Sequence, residues 1–276
     1  MCIRDRAGRD DGDLVAVWGR TPEKAAALAR RFDADVAATP TELFDAVDVV
    51  AFAVPPAVQA PLAVDAARAG CHLVLEKPVA LDVAAADEVV AATREAGVRS
   101  VVFFTARYVP EVAAWLDTAA ASGPWLGGMA TWFGANAEAD SPYRESAWRN
   151  EHGGMWDVGP HSLATMVPLL GPVEHVTGVR GPGDVVHLAL RHAGGASSTM
   201  SLGLTLPPAA ARVGAAVYGP EGWSVMPDVL PDAPVALRTA VDELLACVAE
   251  GRDHPCDVGF GRDVVEVLAR AEASLA

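Results

Sequence analysis

Cysteine is scarce in this sequence, and long apolar runs are absent from it. The four cysteines, Cys2, Cys71, Cys247 and Cys256, form no CxxC pair and no even framework. That excludes a disulfide scaffold and points to reduced thiols in a cytoplasm. No stretch approaches the ~18 to 20 apolar residues of a membrane span, and no apolar h-region precedes a small-residue cleavage site. The expectation is a soluble, cytoplasmic protein with no membrane partner. Basic residues are also few: 21 against 36 acidic ones leaves a net charge of -15, which argues against nonspecific nucleic-acid binding. Neither an HExxH zinc motif nor a GxSxG nucleophile elbow occurs. What remains is a 276-residue chain, 51% hydrophobic and 21% charged. Those are globular values, in a length that suits one large domain or two.

Residues 1–13 are polar, carry no period, and read as a tail or the end of something lost. Leu14 to Trp18 reads as a strand, Gly19-Arg20 as its turn, and Thr21-Pro22-Glu23 as a helix start with Thr21 as N-cap and proline in the first turn. Thr39-Pro40-Thr41-Glu42 is a second start, with Glu42 placed to complete a capping box. Val49 to Val54 is a continuous apolar strand stopped by Pro55-Pro56, and a helix over about 58–69 ends at Gly70. Leu73 to Leu75 is a short buried strand. Asp82 caps a helix that Gly97 stops, and Val98 to Thr105 is a further strand. Alternating strands and helices with these crossover lengths predict a doubly wound parallel α/β domain over residues 1–105. From residue 106 the texture changes. A helix near 111–121, a strand near 128–133 and a helix near His161–Leu170 precede four strand-like runs with no helix between them. Two helices close the chain. This predicts an α+β second domain over 106–276 with an open, mainly antiparallel sheet.

Three constellations could carry chemistry. Glu76-Lys77-Pro78 places a cation at the carboxyl end of a predicted strand, where open parallel sheets bind ligands; an ordinary surface Glu-Lys pair is the alternative. In Gly153-Gly154-Met155-Trp156-Asp157-Val158-Gly159-Pro160-His161 an acid and a histidine stand four residues apart. Because Pro160 lacks an N–H, the helix is expected to begin near Asp157. That spacing puts both side chains on one helix face, where a carboxylate can orient an imidazole. A capping aspartate and a core histidine would also explain it. A metal held by His152, Asp157 and His161 has no supporting motif, so none is expected. Finally, the turn Gly19-Arg20-Thr21 follows a strand. In dinucleotide-binding folds the end of the second strand reads the adenine ribose, a carboxylate bonding the 2'-hydroxyl or a basic residue accommodating a 2'-phosphate. Arg20, with Thr21 as a further donor, favours NADP, with NAD possible; a solvated turn arginine is the alternative.

Taken together, these residues resemble the glucose-fructose oxidoreductase, inositol dehydrogenase and rhizopine-catabolism (Gfo/Idh/MocA) family. The resemblance extends from Leu14 over nearly the whole chain. It rests on Ala53-Val54-Pro55-Pro56, on Ala69-Gly70-Cys71-His72-Leu73-Val74-Leu75-Glu76-Lys77-Pro78, on Arg107-Tyr108-Val109-Pro110 and on Trp148-Arg149. Gly153-Gly154 with Asp157 and His161, and Gly251-Arg252-Asp253-His254-Pro255 before a last helix, complete it.

The resemblance implies a Rossmann domain, a second α+β domain, and hydride transfer between a nicotinamide and a sugar, polyol or related carbonyl compound. His161 would be the general base, Lys77 would donate to the substrate oxygen, and Asp157 would fix His161 or the substrate. Histidine ordinarily titrates near about 6.5 and lysine near about 10.4, so a lysine base at neutral pH would need a fall of about 3 pH units, roughly 4 kcal/mol. Lys77 therefore takes the electrostatic role. Val54, Pro55, Gln59, Glu76 and Lys77 would join Gly19, Arg20 and Thr21 at the cofactor. Arg107, Trp148 and Arg149 would meet the substrate, with Trp132, Tyr143 and Trp156 as further aromatic candidates. A cis peptide before Pro78 and a homo-oligomer are also implied. A non-catalytic dinucleotide or metabolite sensor of the same fold is the alternative function, and some relatives cleave glycosidic bonds with transient use of the nicotinamide.

Two departures stand out. Gln59 replaces a histidine common in the family, and no GxGxxG occurs near the N-terminus. The first recognisable strand matches the family's second, so the sequence reads as truncated at its first strand and glycine loop. Loss of that central strand is expected to leave a gap in the parallel sheet and to weaken cofactor binding.

Overall fold

The computed structural model describes residues 14–136, 146–229 and 231–275. Tyr143 and the tail 1–13 lie outside the described residues. The chain divides into two compact units, one of the residues up to Phe103 with Asp232–Arg262, the other of Phe104–Pro231 with Asp263–Ala276.

In the first unit strands and helices alternate: β1 (Ala16–Val17), α1 (Pro22–Phe32), β2 (Asp35–Val36), α2 (Pro40–Asp45), β3 (Val49–Ala51), α3 (Pro56–Arg68), β4 (His72–Leu75), α4 (Val83–Ala96) and β5 (Ser100–Val102). Their boundaries follow local chemistry. Asp82 accepts a hydrogen bond from the Ala85 N–H at 2.8 Å, and Gly97 ends α4 in the left-handed conformation at φ 68°, where a Cβ would be strained. At α2 the Thr39 hydroxyl accepts from Glu42 N–H at 3.1 Å, while the Glu42 carboxylate reaches past the cap to accept from Ala38 N–H at 2.8 Å. Thr21 stands at the N-cap of α1 but makes no side-chain capping bond. There Pro22 stands at the first helical position, where its fixed φ suits a first turn.

All strand pairs in this unit are parallel, and they fall into two sheets, β1-β2 and β3-β4-β5. Among the described residues no strand joins β1 to β3, which is the interruption expected of the parallel sheet. β4 is the centre of the larger sheet: Leu73, Val74 and Leu75 are essentially inaccessible, each such aliphatic contributing about 1.5–3 kcal/mol by burial. β5 is shorter than expected, ending at Val102. Its edge is then satisfied from far along the chain, where the Cys256 carbonyl accepts the Val102 N–H at 2.8 Å. The Gly251–Asp257 segment is tied in place by Arg99, which bonds Asp253 and the Gly251 carbonyl at 2.8 Å each. His254 links Glu243 and the Cys256 N–H within it. The preceding helix α7 (Ala233–Glu250) packs on β4 and β5.

The second unit holds α5 (Pro110–Ser122), β6 (Gly127–Phe133), α6 (Ala147–Leu170), β7 (Val173–Arg180), β8 (Val186–His192), β9 (Ser197–Gly203), β10 (Arg212–Gly219) and β11 (Gly222–Val225). The sheet order is β11-β10-β6-β9-β8-β7, antiparallel throughout except between β6 and β9. It is thus mixed but mainly antiparallel, as its pattern of successive strands predicts. Helix α8 (Val258–Ser274) starts in the first unit and ends in the second.

Helix α6 departs from the expected start near Asp157. It runs from Ala147 to Leu170, broken at Gly153 (φ 66°, ψ -169°), with Pro160 in its interior. Proline normally forbids the helical region to the residue before it, partly through that residue's Cβ. Here that residue is Gly159, which has none. α6 lies against one face of the sheet. A Cβ on Gly154 would stand 2.6 Å from the Gly203 Cα, so this glycine is required for the close approach.

Candidate active site

The first unit places its candidate residues at the carboxyl ends of parallel strands. Gly19, Arg20 and Thr21 follow β1, and Arg20 and Thr21 are exposed at the start of α1. Val54 and Pro55 follow β3 and open α3, Val54 half-buried and Pro55 exposed. Glu76 and Lys77 follow β4; Glu76 is half-buried, while Lys77 is 9% exposed. The Lys77–Pro78 peptide is cis, as the resemblance implies. Gln59, in the first turn of α3, is fully buried. Its amide nitrogen donates to the carbonyls of Glu76 (2.8 Å), Val79 (3.3 Å) and Pro78 (3.4 Å), and its amide oxygen accepts from Glu76 N–H at 2.8 Å. Both polar ends of this side chain are thus engaged with the backbone on either side of Lys77.

The second unit holds Asp157 and His161 on α6, 5% and 6% exposed. The Arg149 Nε donates to Asp157 Oδ2 at 3.1 Å, and its terminal nitrogen donates to Ser146 Oγ at 3.2 Å. Eight residues of unbroken helix would span about 12 Å, so the break at Gly153 is what lets Arg149 meet Asp157. The Arg149 guanidinium also lies over the Trp148 ring, 4.8 Å from its centroid, a cation–π contact. Asp184 accepts the Gly154 N–H at 3.1 Å and, from β9 onward, the N–H groups of Leu204 and Thr205 at 2.7 and 3.1 Å. The second segment of α6 is therefore anchored at its first residue. From β6, Trp132 stacks on His161, with ring centroids 4.7 Å apart and planes 20° from parallel. Trp156, one of the aromatic candidates, is 2% exposed. Arg107 is half-buried in a single 3-10 turn, Thr105–Tyr108.

Four features escaped sequence reasoning: the Gln59 tie, the Arg149–Asp157 pair, the Asp184 anchor and the Trp132 stack. Only the second carried a local signal, two charges of opposite sign eight residues apart around a glycine pair. Other buried titratable groups have structural partners. The Cys71 thiol bonds the Phe44 and Val47 carbonyls, and burial, with Asp48 and Asp45 nearby, raises its pKa. His192 bridges the Gly171 carbonyl and Ser198 Oγ, and burial lowers its pKa. Among the described residues no cluster of His, Cys, Asp or Glu could hold a metal ion, and no helix is long and apolar enough to cross a membrane.

Known proteins share this fold. The model of an oxidoreductase family with an NAD-binding Rossmann fold (Gfo/Idh/MocA) matches residues 4–104. No curated protein matches the chain in sequence. Among solved structures, GenD2 from gentamicin A biosynthesis, in complex with NAD, superposes with TM-score 0.84 at 22% identity, over 98% of this chain and 89% of that one. UDP-N-acetylglucosamine 3-dehydrogenase GnnA from Acidithiobacillus ferrooxidans gives 0.82 at 17% identity, over 99% and 92%. Levoglucosan dehydrogenase, in complex with NADH and levoglucosan, gives 0.81 at 18%, over 95% and 88%. At these identities the structures show a shared fold. Residues 4–104 thus match the Gfo/Idh/MocA oxidoreductase family, with its NAD-binding Rossmann fold, and the whole chain shares its fold with these solved structures.

Proposed function

We propose that this protein is a nicotinamide-dependent dehydrogenase or reductase that moves a hydride between NADP and a hydroxyl-bearing carbon of a sugar or polyol. The observation that carries the reading is Lys77, a nearly closed-off cation at the carboxyl end of a parallel strand, in a family defined by oxidoreduction. The relatives named for sugar substrates, UDP-N-acetylglucosamine and levoglucosan, support the substrate class.

The first unit's residues fit a dinucleotide in part. Gly19, Arg20, Thr21, Val54, Pro55, Glu76 and Lys77 all stand at strand carboxyl ends, where a nucleotide's polar groups meet backbone donors. Arg20 is exposed in a turn with no carboxylate of its own, which favours a 2'-phosphate and hence NADP. When bound, the nicotinamide supplies or accepts the hydride. The chain's own residues then handle the proton and the charge. In the oxidative direction the His161 imidazole takes the hydroxyl proton, since its ordinary pKa lies close to neutrality. Asp157, held by Arg149, presents a fixed negative charge one helical turn before it. The Lys77 ammonium donates to the oxygen, where charge accumulates as the proton leaves. Arg107, Trp148 and Arg149 contribute to substrate recognition.

A homo-oligomer is proposed on the face of the second sheet that α6 does not cover. Pairing puts Met129, Ala216 and Val225 in one row and Trp223 beside Tyr218. Met129, Trp223 and Val225 are 45%, 61% and 64% exposed. Three buried free thiols, Cys71, Cys247 and Cys256, support a cytoplasmic location.

The test is turnover of a sugar and polyol panel with NADP and NAD, followed by reduced-nicotinamide absorbance. Turnover that falls about 10²- to 10³-fold in Lys77→Met, the usual cost of losing one donor to a developing oxyanion, supports the reading. An undiminished Lys77→Met enzyme would sink it.

A further inference from the structure

We infer that Gln59 is a positioning residue for Lys77: its carboxamide ties the first turn of α3 to the backbone on both sides of the lysine. The residue chemistry is complementary without ambiguity. The turn offers one N–H, from Glu76, and three carbonyls, from Glu76, Pro78 and Val79. A primary amide meets that set with one acceptor oxygen and two N–H donors, its two hydrogens shared among the three carbonyls, of which Glu76 is the nearest. All four contacts are within 3.4 Å, and Gln59 is fully buried. The amide holds the Glu76 backbone on one side of Lys77 and the Pro78 and Val79 carbonyls on the other. The tie grips it from before and after. Its partner in this role is a helix whose own entry is set by Pro55 and Pro56, so a rigid element holds the turn. A side chain this closed off, with both polar ends engaged, has no group left to present to a nucleotide.

The catalytic consequence rests on the dehydrogenase reading; the placement of Lys77 does not. The sequence makes the two separable, because Lys24 and Lys77 are its only lysines and Lys24 is exposed on α1. Lysine labelled with 13C at Cε therefore gives two side-chain signals, one from the turn and one as an internal reference.

The decisive variant is Gln59→Glu. Protonated, its carboxyl has one donor and one acceptor oxygen and retains the tie. Ionised, it only accepts, and it faces three carbonyl oxygens. Burial disfavours the charged form, so the donor is lost as pH is raised from about 5 to about 9, the interval in which buried glutamates titrate. At the acid end the Lys77 signal is expected to match wild type. At the alkaline end it should move away while Lys24 stays, and kcat should drop about 100-fold, the cost of misplacing a catalytic group by about 1 Å. NADPH affinity, read by fluorescence, should stay at the wild-type value. Gln59→Met removes the tie at every pH; if it fails to fold, the acid form of Gln59→Glu still provides the folded comparison. A Lys77 signal and kcat that follow wild type across the whole range overturn the inference. So does a loss of NADPH affinity with the Lys77 signal unmoved, which would make Gln59 a cofactor ligand. If the wild-type protein itself turns over no substrate, the dehydrogenase reading fails, and the Lys77 signal alone decides the role of Gln59.

Discussion

The turn that carries Lys77 and the helix that carries Asp157 and His161 both close a charged or titratable group off from water, and they do so by opposite means. Lys77 sits in a segment with no regular structure of its own, held by a side chain from another element, 17 to 20 residues away along the chain. Asp157 and His161 sit on one helix, and their mutual placement follows from its pitch. What holds that helix is a glycine break, an aspartate anchor at its restart, and an indole stacked on the imidazole. A backbone turn can be distorted by one lost amide. A helix resists such loss and yields instead where its packing distance is set.

That difference can be tested at graded strength. The largest expected effect is on chemistry alone: His161→Ala should lower kcat by about 10²- to 10⁴-fold, the range for a general acid–base group, with thermal stability little changed. A comparable loss of stability would instead make His161 a packing residue. Next is Gly154→Ala. Its Cβ would stand within 2.6 to 2.9 Å of the Gly203 backbone, so the helix restart must shift, at about 1–3 kcal/mol for overpacking. Denaturant titration would reveal this as a lower midpoint, and an unchanged midpoint would mean that the approach is looser than the geometry indicates. The smallest is Trp132→Leu, which keeps an apolar contact but removes the ring stack, worth about 0.5–1.5 kcal/mol. It should reduce kcat by less than about tenfold and leave the KM for cofactor unchanged, whereas a raised cofactor KM would place Trp132 in a different role.

Much of this was legible from local residues. The caps at Thr39 and Asp82, the stop at Gly97 and the short apolar run before Glu76 each depend on neighbours within about four positions, where one side chain can reach one backbone group. Asp157 and His161 were visible for the same reason, a four-residue interval on a helix. Pro160 misled: it reads as a first-turn residue, yet Gly159 before it relieves the clash and α6 continues through it. Strands β2 and β11 also went unread. β2 has two residues, both exposed, and β11 has four that alternate between partly buried and exposed, so neither carries a hydrophobic run.

The sequence by itself determined the alternation of strands and helices in the first unit, the change to successive strands in the second, the place of Lys77 after a strand, and the four-residue interval of Asp157 and His161 on one helix. Those features are written in periods of two and 3.6 residues and in capping chemistry, all short-range. Tertiary structure alone decided that Gln59 belongs to the lysine turn and that Cys256 closes the edge of β5 from 154 residues away. It alone decided that Trp132 lies on His161. These contacts join segments whose separation in the chain carries no periodic signal. They form because buried amides, carbonyls and rings must find partners once the core has closed, and which partner is in reach is a property of the folded arrangement.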